Sequence, residues 1–134
     1  MAAFDTLGIA GSSLFVHRKW MDAVSDNIAN INTVNPAGED AFQERMVVAQ
    51  AVDYGSGEGG VRVARTELGS AEGRMVYEPG NPLANAEGMV VYSNVNSVAE
   101  MADMMSASRA FETNVEVLGR IKSMQQSLLK LGEG

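Results

Sequence analysis

The chain has 134 residues, a length that favours one domain with a modest hydrophobic core. It contains no cysteine and one histidine, His17, which excludes a disulfide framework, a thiolate metal site and any zinc site that needs two imidazoles. Its net charge of −7 argues against a nucleic-acid backbone or an anionic membrane as the main partner.

The segment from Ala3 to Ile31 repeats apolar residues every seven positions, which is typical of a coiled-coil-like helix. One heptad series contains Leu7, Leu14, Met21 and Ile28, and its companion series contains Ala3, Ala10, His17, Val24 and Ile31. We therefore expect one long helix here. It should end within Asn30–Pro36, because Asn tolerates left-handed geometry and Pro36 disfavours helical geometry at Asn35.

The N-terminal segment does not have the pattern of a signal peptide, because Asp5, Gly8 and Gly11 interrupt its apolar residues. The sequence also lacks a run of about 18 consecutive apolar residues, which a membrane-spanning helix needs. We expect neither a cleavable signal peptide nor a membrane span.

The middle of the chain has the composition of strands and turns. All three prolines and nine of the 14 glycines lie between Asn32 and Asn96, together with nine acidic and four basic residues. β-Branched and aromatic runs predict strands within Phe42–Val52, at Val61–Arg65, at Met75–Tyr77 and at Met89–Tyr92. Gly55–Gly60 should form a hairpin tip, and Glu78–Pro82 should form a tight turn.

A second long helix is predicted from Ser97 to Leu131, beginning with a capping box formed by Ser97 and Glu100. Apolar or small residues recur at steps of three and four: Met101, Met104, Ser108, Phe111, Val115, Leu118, Ile121, Met124, Leu128 and Leu131. Such a helix would be about 50 Å long, whereas a compact domain of this size has a diameter of about 36 Å. Another long helix, other subunits or both must therefore cover its apolar stripe.

The residue types that carry out catalysis do not come together in this sequence. Gly55–Gly60 fits the letters of a nucleotide-binding glycine loop, but a strand follows it and Glu58 would repel phosphates. His17 lies on the helical seam without a nucleophile, and Glu39, Asp40 and Glu44 are typical of a solvated acidic surface. We expect no enzymatic activity, no cofactor and no metal site.

Three segments resemble the flagellar rod and hook proteins. Asn27, Ala29, Asn30 and Thr33 match the Asn-hydrophobic-Ala-Asn-x-x-Thr signature that closes the first helix in this family. The segment Tyr77–Gly88 is similar to the one typical of proximal rod proteins, through Tyr77, Pro79, Gly80, Pro82, Asn85 and Gly88. Residues 95–109 and Asn114–Leu118, with Lys122, continue the similarity.

This resemblance implies a non-enzymatic structural subunit of the bacterial flagellar basal-body rod. Such a subunit transmits torque and lines the export channel by helical assembly with proximal and distal rod proteins. The resemblance further implies contacts with the rod-base adaptor and membrane-ring components. It implies export by the flagellar type III apparatus, without a cleavable signal peptide, to the periplasmic rod.

The predicted fold is α+β and elongated. Residues 1–33 and 94–134 would form an antiparallel, coiled-coil-like helical stem, and residues 34–93 a small β-rich extension. The residues expected to pack within the stem or between subunits are Leu7, Leu14, Met21, Ile28, Met101, Met104, Phe111, Val115, Leu118, Ile121 and Leu128. We expect the α1 members of this set, Leu7, Leu14, Met21 and Ile28, to face Phe111, Leu118, Ile121 and Leu128.

Two other interpretations stay open at this point. The chain could be a different rod or hook subunit, since Tyr77–Gly88 is the segment that separates these proteins. It could also be a soluble ligand-binding module that uses the glycine loop and the acidic middle region. Asn27, Asn30 and Thr33 could simply end a helix, because Asn and Thr side chains cap backbone groups without any partner.

Overall fold

The computed structural model describes residues 2–55 and 58–132, except for the side chains of residues 2–5, 54 and 58. Along these residues the elements are α1 (Ala2–Ala29), β1 (Val34–Pro36), β2 (Arg45–Gly55), β3 (Glu58–Leu68), β4 (Arg74–Tyr77), β5 (Met89–Tyr92) and α2 (Ser97–Gly132). The α+β class and both long terminal helices are confirmed. Ser56 and Gly57, at the centre of the predicted hairpin tip, lie outside the described residues.

The N-terminus of α2 is capped by Asn96. The Asn96 Oδ1 atom accepts hydrogen bonds from the backbone N–H groups of Val98 at 3.0 Å and Ala99 at 3.2 Å. The side chain of Glu100 instead contacts α1. The predicted capping box of Ser97 and Glu100 is therefore wrong, because Asn96 is an equally good cap and leaves Glu100 available for a tertiary contact.

Strands β1, β5 and β4 form an antiparallel sheet in that order. Val34 of β1 and Arg74 of β4 lie opposite Tyr92 on either side of β5, whose Val90 is completely buried. The sequence did not predict β1, which has three residues and contains Pro36. Proline is tolerated there because β1 is an edge strand.

Strands β2 and β3 form a two-stranded sheet, and β3 extends beyond the predicted Val61–Arg65 at both ends. Strand β2 begins at Arg45, inside the predicted region Phe42–Val52, and ends at Gly55, three residues beyond it. The backbone of β3 lies close to α1: Ser12 Oγ accepts a hydrogen bond from the Val61 N–H at 3.1 Å and donates to the Ile9 carbonyl at 2.7 Å. A Cβ atom at Gly60 would lie 2.8 Å from Ser12 Oγ, so a larger residue there would displace the serine hydroxyl.

The chain divides into two compact units, and each contains part of α1 and part of α2. The first comprises Met1–Met21, Val47–Arg65 and Met105–Gly134, and its buried apolar residues are Ala10, Val16, Ala107 and Ile121. The second comprises Asp22–Met46 and Thr66–Met104, and its buried apolar residues are Ala23, Val24, Ala41, Val90 and Val91. The separation of a helical stem from a β-rich extension stays a prediction.

Among the described residues, the two helices are too polar to span a lipid bilayer.

Gly73 tests the packing of the second unit. A methyl group at this position would collide with Val91 Cγ1, the Tyr92 carbonyl oxygen and Ala41 Cβ. We expect Gly73→Ala to lower the free energy of unfolding by about 3 kcal/mol, because overpacking forces backbone shifts. Urea denaturation followed by circular dichroism measures this difference. The control is Gly80→Ala, whose methyl group would meet open space; equal losses in the two variants would contradict the packing described.

Candidate functional site: the two faces of the C-terminal helix

One face of α2 is covered by the rest of the chain. Its buried and half-buried residues include a heptad series of Glu100, Met104, Ala107, Phe111, Asn114, Leu118, Ile121 and Gln125. Three members of this series are polar. A search for apolar periodicity misses these polar residues. The sequence therefore predicted where the helix lies, but not all of the residues on its covered face.

The remainder of the α2 surface exposes many large apolar side chains. They are Val98, Met101, Met105, Val115, Val117, Met124, Leu128, Leu129 and Leu131. Met101 is 59% exposed, Leu128 57% and Leu131 79%. Val98, Met101 and Met105, and separately Met124, Leu128 and Leu131, follow steps of three and four and so form two stripes. They do not all share one side of the helix, since Leu128 continues the heptad series of Glu100 and Ile121 but is exposed; we call the nine residues together the exposed apolar face.

Two side-chain hydrogen bonds join α1 to α2. Asn114 Nδ2 lies 2.8 Å from His17 Nδ1, and Asn27 Nδ2 donates to Glu100 Oε2 at 3.1 Å. His17 precedes Asn27 in α1 whereas Asn114 follows Glu100 in α2, so the helices run antiparallel, as predicted. Polar pairs in an apolar seam help to fix the helical register, because a shift would leave buried groups without partners.

The predicted packing residues fall into two groups. Half-buried positions are Leu7, Leu14, Met21, Ile28, Met104, Phe111 and Leu118, and Ile121 is buried. In contrast, Met101, Val115 and Leu128 belong to the exposed apolar face. On α1 the companion series is the more deeply buried, through Ala10 and Val24. The role of each residue in contacts between subunits stays a prediction.

Asn27 connects three elements of the second unit. Its side chain, which is 1% exposed, accepts a hydrogen bond from the Arg45 N–H at 2.8 Å and donates to the Arg45 carbonyl at 3.0 Å. It thus pairs with the first residue of β2 as a neighbouring strand would. Because it also donates to Glu100, Asn27 links the end of α1 to the beginnings of β2 and α2. We call Asn27, Arg45 and Glu100 the Asn27 junction.

Asn30 and Thr33 end α1. Asn30 Nδ2 donates to the Asp26 carbonyl at 2.8 Å, and Thr33 Oγ1 donates to Asn30 Oδ1 at 2.9 Å. Ala29 is the last residue of the helix and is exposed. The helix-stop interpretation therefore describes Asn30 and Thr33, whereas Asn27 has a separate tertiary role.

The Tyr77–Gly88 segment holds its shape through its own polar groups. Asn85 Oδ1 accepts hydrogen bonds from the N–H groups of Glu87 at 3.0 Å and Met89 at 2.8 Å. Gly88 has a positive φ of 76° and is buried; a Cβ atom there would lie 2.8 Å from the Tyr77 ring. This geometry explains the glycine at the end of the motif.

Glu78 anchors the same segment. Its carboxylate accepts hydrogen bonds from Asn81 Nδ2 at 3.0 Å and from the Tyr92 hydroxyl at 2.7 Å, and these bonds lower the pKa of Glu78. Of the other motif residues, Pro79, Gly80 and Pro82 are exposed, as is Tyr77. The segment therefore presents a stable, largely exposed surface.

The acidic residues singled out in the sequence are separated in the structure. Glu39 and Asp40 line an open groove with Glu72 and Met75, whereas Glu44 lines a cavity of about 140 Å³ with Phe42 and Ser70. The described residues contain no group of three or more side chains placed to hold a metal ion. This arrangement gives no support to metal chemistry at the acidic cluster.

Asn27→Ala tests the Asn27 junction. The substitution removes both bonds to the Arg45 backbone and leaves Glu100 without its amide donor. We expect a loss of about 3 kcal/mol in the free energy of unfolding, because buried polar groups lose their partners. Thermal and urea denaturation measure the loss. The exposed Asn32→Ala is the control, and a change of similar size in both variants would contradict this role.

Comparisons with known proteins agree with one another. Residues 86–131 match the family described as "Flagellar basal body rod FlgEFG protein C-terminal". The chain is 42% identical to the flagellar basal-body rod protein FlgC of Salmonella typhimurium, over 99% of this chain and 100% of that protein. It is 32% identical to the FlgC protein of Bacillus subtilis and 35% identical to that of Borreliella burgdorferi. These two alignments cover 99% and 100% of this chain and the full length of both relatives.

Proposed function

The chain belongs to the FlgC family of flagellar basal-body rod proteins, and from this premise we propose that its exposed apolar face packs against neighbouring subunits in the proximal rod. Membership confirms the family and its proximal rod branch as predicted from Tyr77–Gly88. Family membership also favours a non-enzymatic structural role over the ligand-binding module. Two residues of the glycine loop that such a module would use, Ser56 and Gly57, lie outside the described residues.

The observation that carries the proposal is the division of α2 into two apolar surfaces. The heptad series around Leu118 is covered by this chain, whereas the nine residues of the exposed apolar face are open to solvent. Large apolar side chains that are exposed in such number on one helix mark interaction sites. A second protein surface is the partner whose chemistry fits, because the face is apolar and the chain as a whole is acidic.

The composition of the face suits more than one neighbour. Three of its nine residues are Met101, Met105 and Met124. Methionine is flexible and polarizable, so it adapts to differently shaped surfaces. A subunit in a helical assembly meets several neighbours through non-equivalent contacts, each of which can use part of such a face.

The finer features of this role are also proposals. We propose that the subunit is exported unfolded through the type III apparatus and that it contacts proximal and distal rod proteins, the rod-base adaptor and the membrane ring. In the assembled rod, α1 and α2 would line the channel and transmit torque. The two polar pairs between α1 and α2 support this role, since a fixed helical register keeps the exposed apolar face in one orientation.

Substitutions on the two faces of α2 separate folding from assembly. We expect Met101→Asp and Leu128→Asp each to abolish incorporation into the rod and swimming, because a carboxylate would be buried between subunits. The free energy of unfolding of the isolated chain should change by less than about 0.5 kcal/mol, since both positions are exposed. Basal-body purification, motility assays and denaturation give the three readouts.

Two further variants complete the comparison. Leu118→Asp, on the covered face, should lose both stability and incorporation. Gln126→Asp, an exposed polar position on α2, should change neither. Normal rods and swimming with Leu128→Asp and Met101→Asp would contradict assembly through the exposed apolar face.

A further inference from the structure

The groove beside strand β4 has an apolar floor that is open to solvent. Met75 of β4 and Val91 of β5 lie opposite each other in the sheet and form this floor, and Met75 is 51% exposed. Their neighbours Arg74 and Tyr92 lie on the other face of the sheet, where the guanidinium is 5.6 Å from the ring centroid. The groove has a volume of about 430 Å³, so it can admit side chains of another protein.

The walls of this groove are acidic and are joined to each other. Glu39 and Asp40, in the turn after β1, line one wall, and Glu72, in the segment before β4, lines the other. All three are exposed. The Ala41 N–H donates a hydrogen bond to the Ala71 carbonyl at 3.0 Å and so holds the two walls together. The described residues that line the groove include no lysine or arginine, so its chemistry fits a partner that is both apolar and basic.

The C-terminal end of α2 has that chemistry. Residues 117–132 contain three basic residues and no acidic one. Along the heptad series, the cover that this chain provides ends between Ile121, which is 7% exposed, and Leu128, which is 57% exposed. At 100° per residue, Arg120 and Lys122 flank the four large apolar side chains that are exposed here. These four are Met124, Leu128, Leu129 and Leu131.

We propose that the C-terminal end of α2 binds in the acidic groove of a second copy of the chain, which rests on the proposed function and names one surface that covers the exposed apolar face. The leucine side chains would cover Met75 and Val91, and Arg120 and Lys122 would approach the acidic walls. Covered apolar area supplies the affinity, whereas the charges select the partner and its orientation. Because the two contacting surfaces differ, the contact is head-to-tail and can repeat from copy to copy.

Disulfide cross-linking in assembled rods tests the contact directly, since the natural chain contains no cysteine. A chain that carries both Glu72→Cys and Leu131→Cys should give linked products of two, three and more copies after mild oxidation, read on a non-reducing gel. The matched control combines Leu131→Cys with Glu87→Cys, an exposed acidic position outside the groove. It should give little product, because a disulfide needs Cα atoms within about 7 Å of each other.

Charge reversal gives a second readout. Glu39→Lys with Glu72→Lys, and separately Arg120→Glu with Lys122→Glu, should each lower the number of rods per cell at least about tenfold, because like charges then face each other between copies. A chain with all four substitutions restores opposite charges and should recover rods. All four positions are exposed, so circular dichroism of each purified variant should show an unchanged fold.

Three results would overturn the proposal: equal cross-linking in the Glu72 and Glu87 variants, no recovery in the chain with all four substitutions, or no effect of either reversal. Linked dimers without longer products would mean a reciprocal contact and would also overturn it. Leu128→Asp separates this proposal from the proposed function. If that variant blocks assembly while both charge reversals leave it intact, the exposed apolar face still packs against subunits, but the groove is not the surface that covers it.

Discussion

The hydrogen bonding of Asn27 is the constraint on which the second unit of the structure depends. A side-chain amide replaces a strand neighbour for Arg45 and so fixes where β2 begins. The same amide holds Glu100, whose helix begins at the Asn96 cap, while Asn30 and Thr33 stop α1 a few residues later. Since an unsatisfied buried amide costs roughly 1–3 kcal/mol, sliding α1 along α2 would sacrifice these contacts together.

A fixed contact between α1 and α2 determines which residues of α2 are covered and which are exposed. The His17–Asn114 pair and the Asn27–Glu100 pair hold one side of the helix against α1. Other large apolar side chains of α2, among them Met101 and Leu128, are exposed, and we propose that another protein covers them. A rod subunit needs both properties, because a helix that rotated freely would not present the same residues to each neighbour. We propose that the length of α2 serves two packing tasks, one within the chain and one between subunits.

Periodicity was sufficient to predict α1, α2 and most strands, because steps of three and four or of two persist over many residues. It could not predict β1, whose three residues include Pro36 and pair with β5 through tertiary context. Nor could it place Asn114 and Glu100 on the covered face, because their burial depends on polar partners far away in the sequence. The capping box failed for the same reason: Glu100 satisfies the local pattern, but a distant amide binds it. The segment Tyr77–Gly88 indicated the family. The reason for a glycine at position 88 became clear only in the structure, where a Cβ atom would collide with the Tyr77 ring.

The most direct test of the central claim is methionine oxidation of the free chain and of the assembled rod, read residue by residue by mass spectrometry. Met101, Met105 and Met124 lie on the exposed apolar face, whereas Met104 is half-buried on the covered one. The account predicts that the first three are oxidised readily in the free chain and become protected in the rod, while Met104 is the least reactive of the four in both states. Undiminished oxidation of Met101, Met105 and Met124 in the rod would contradict assembly through this face.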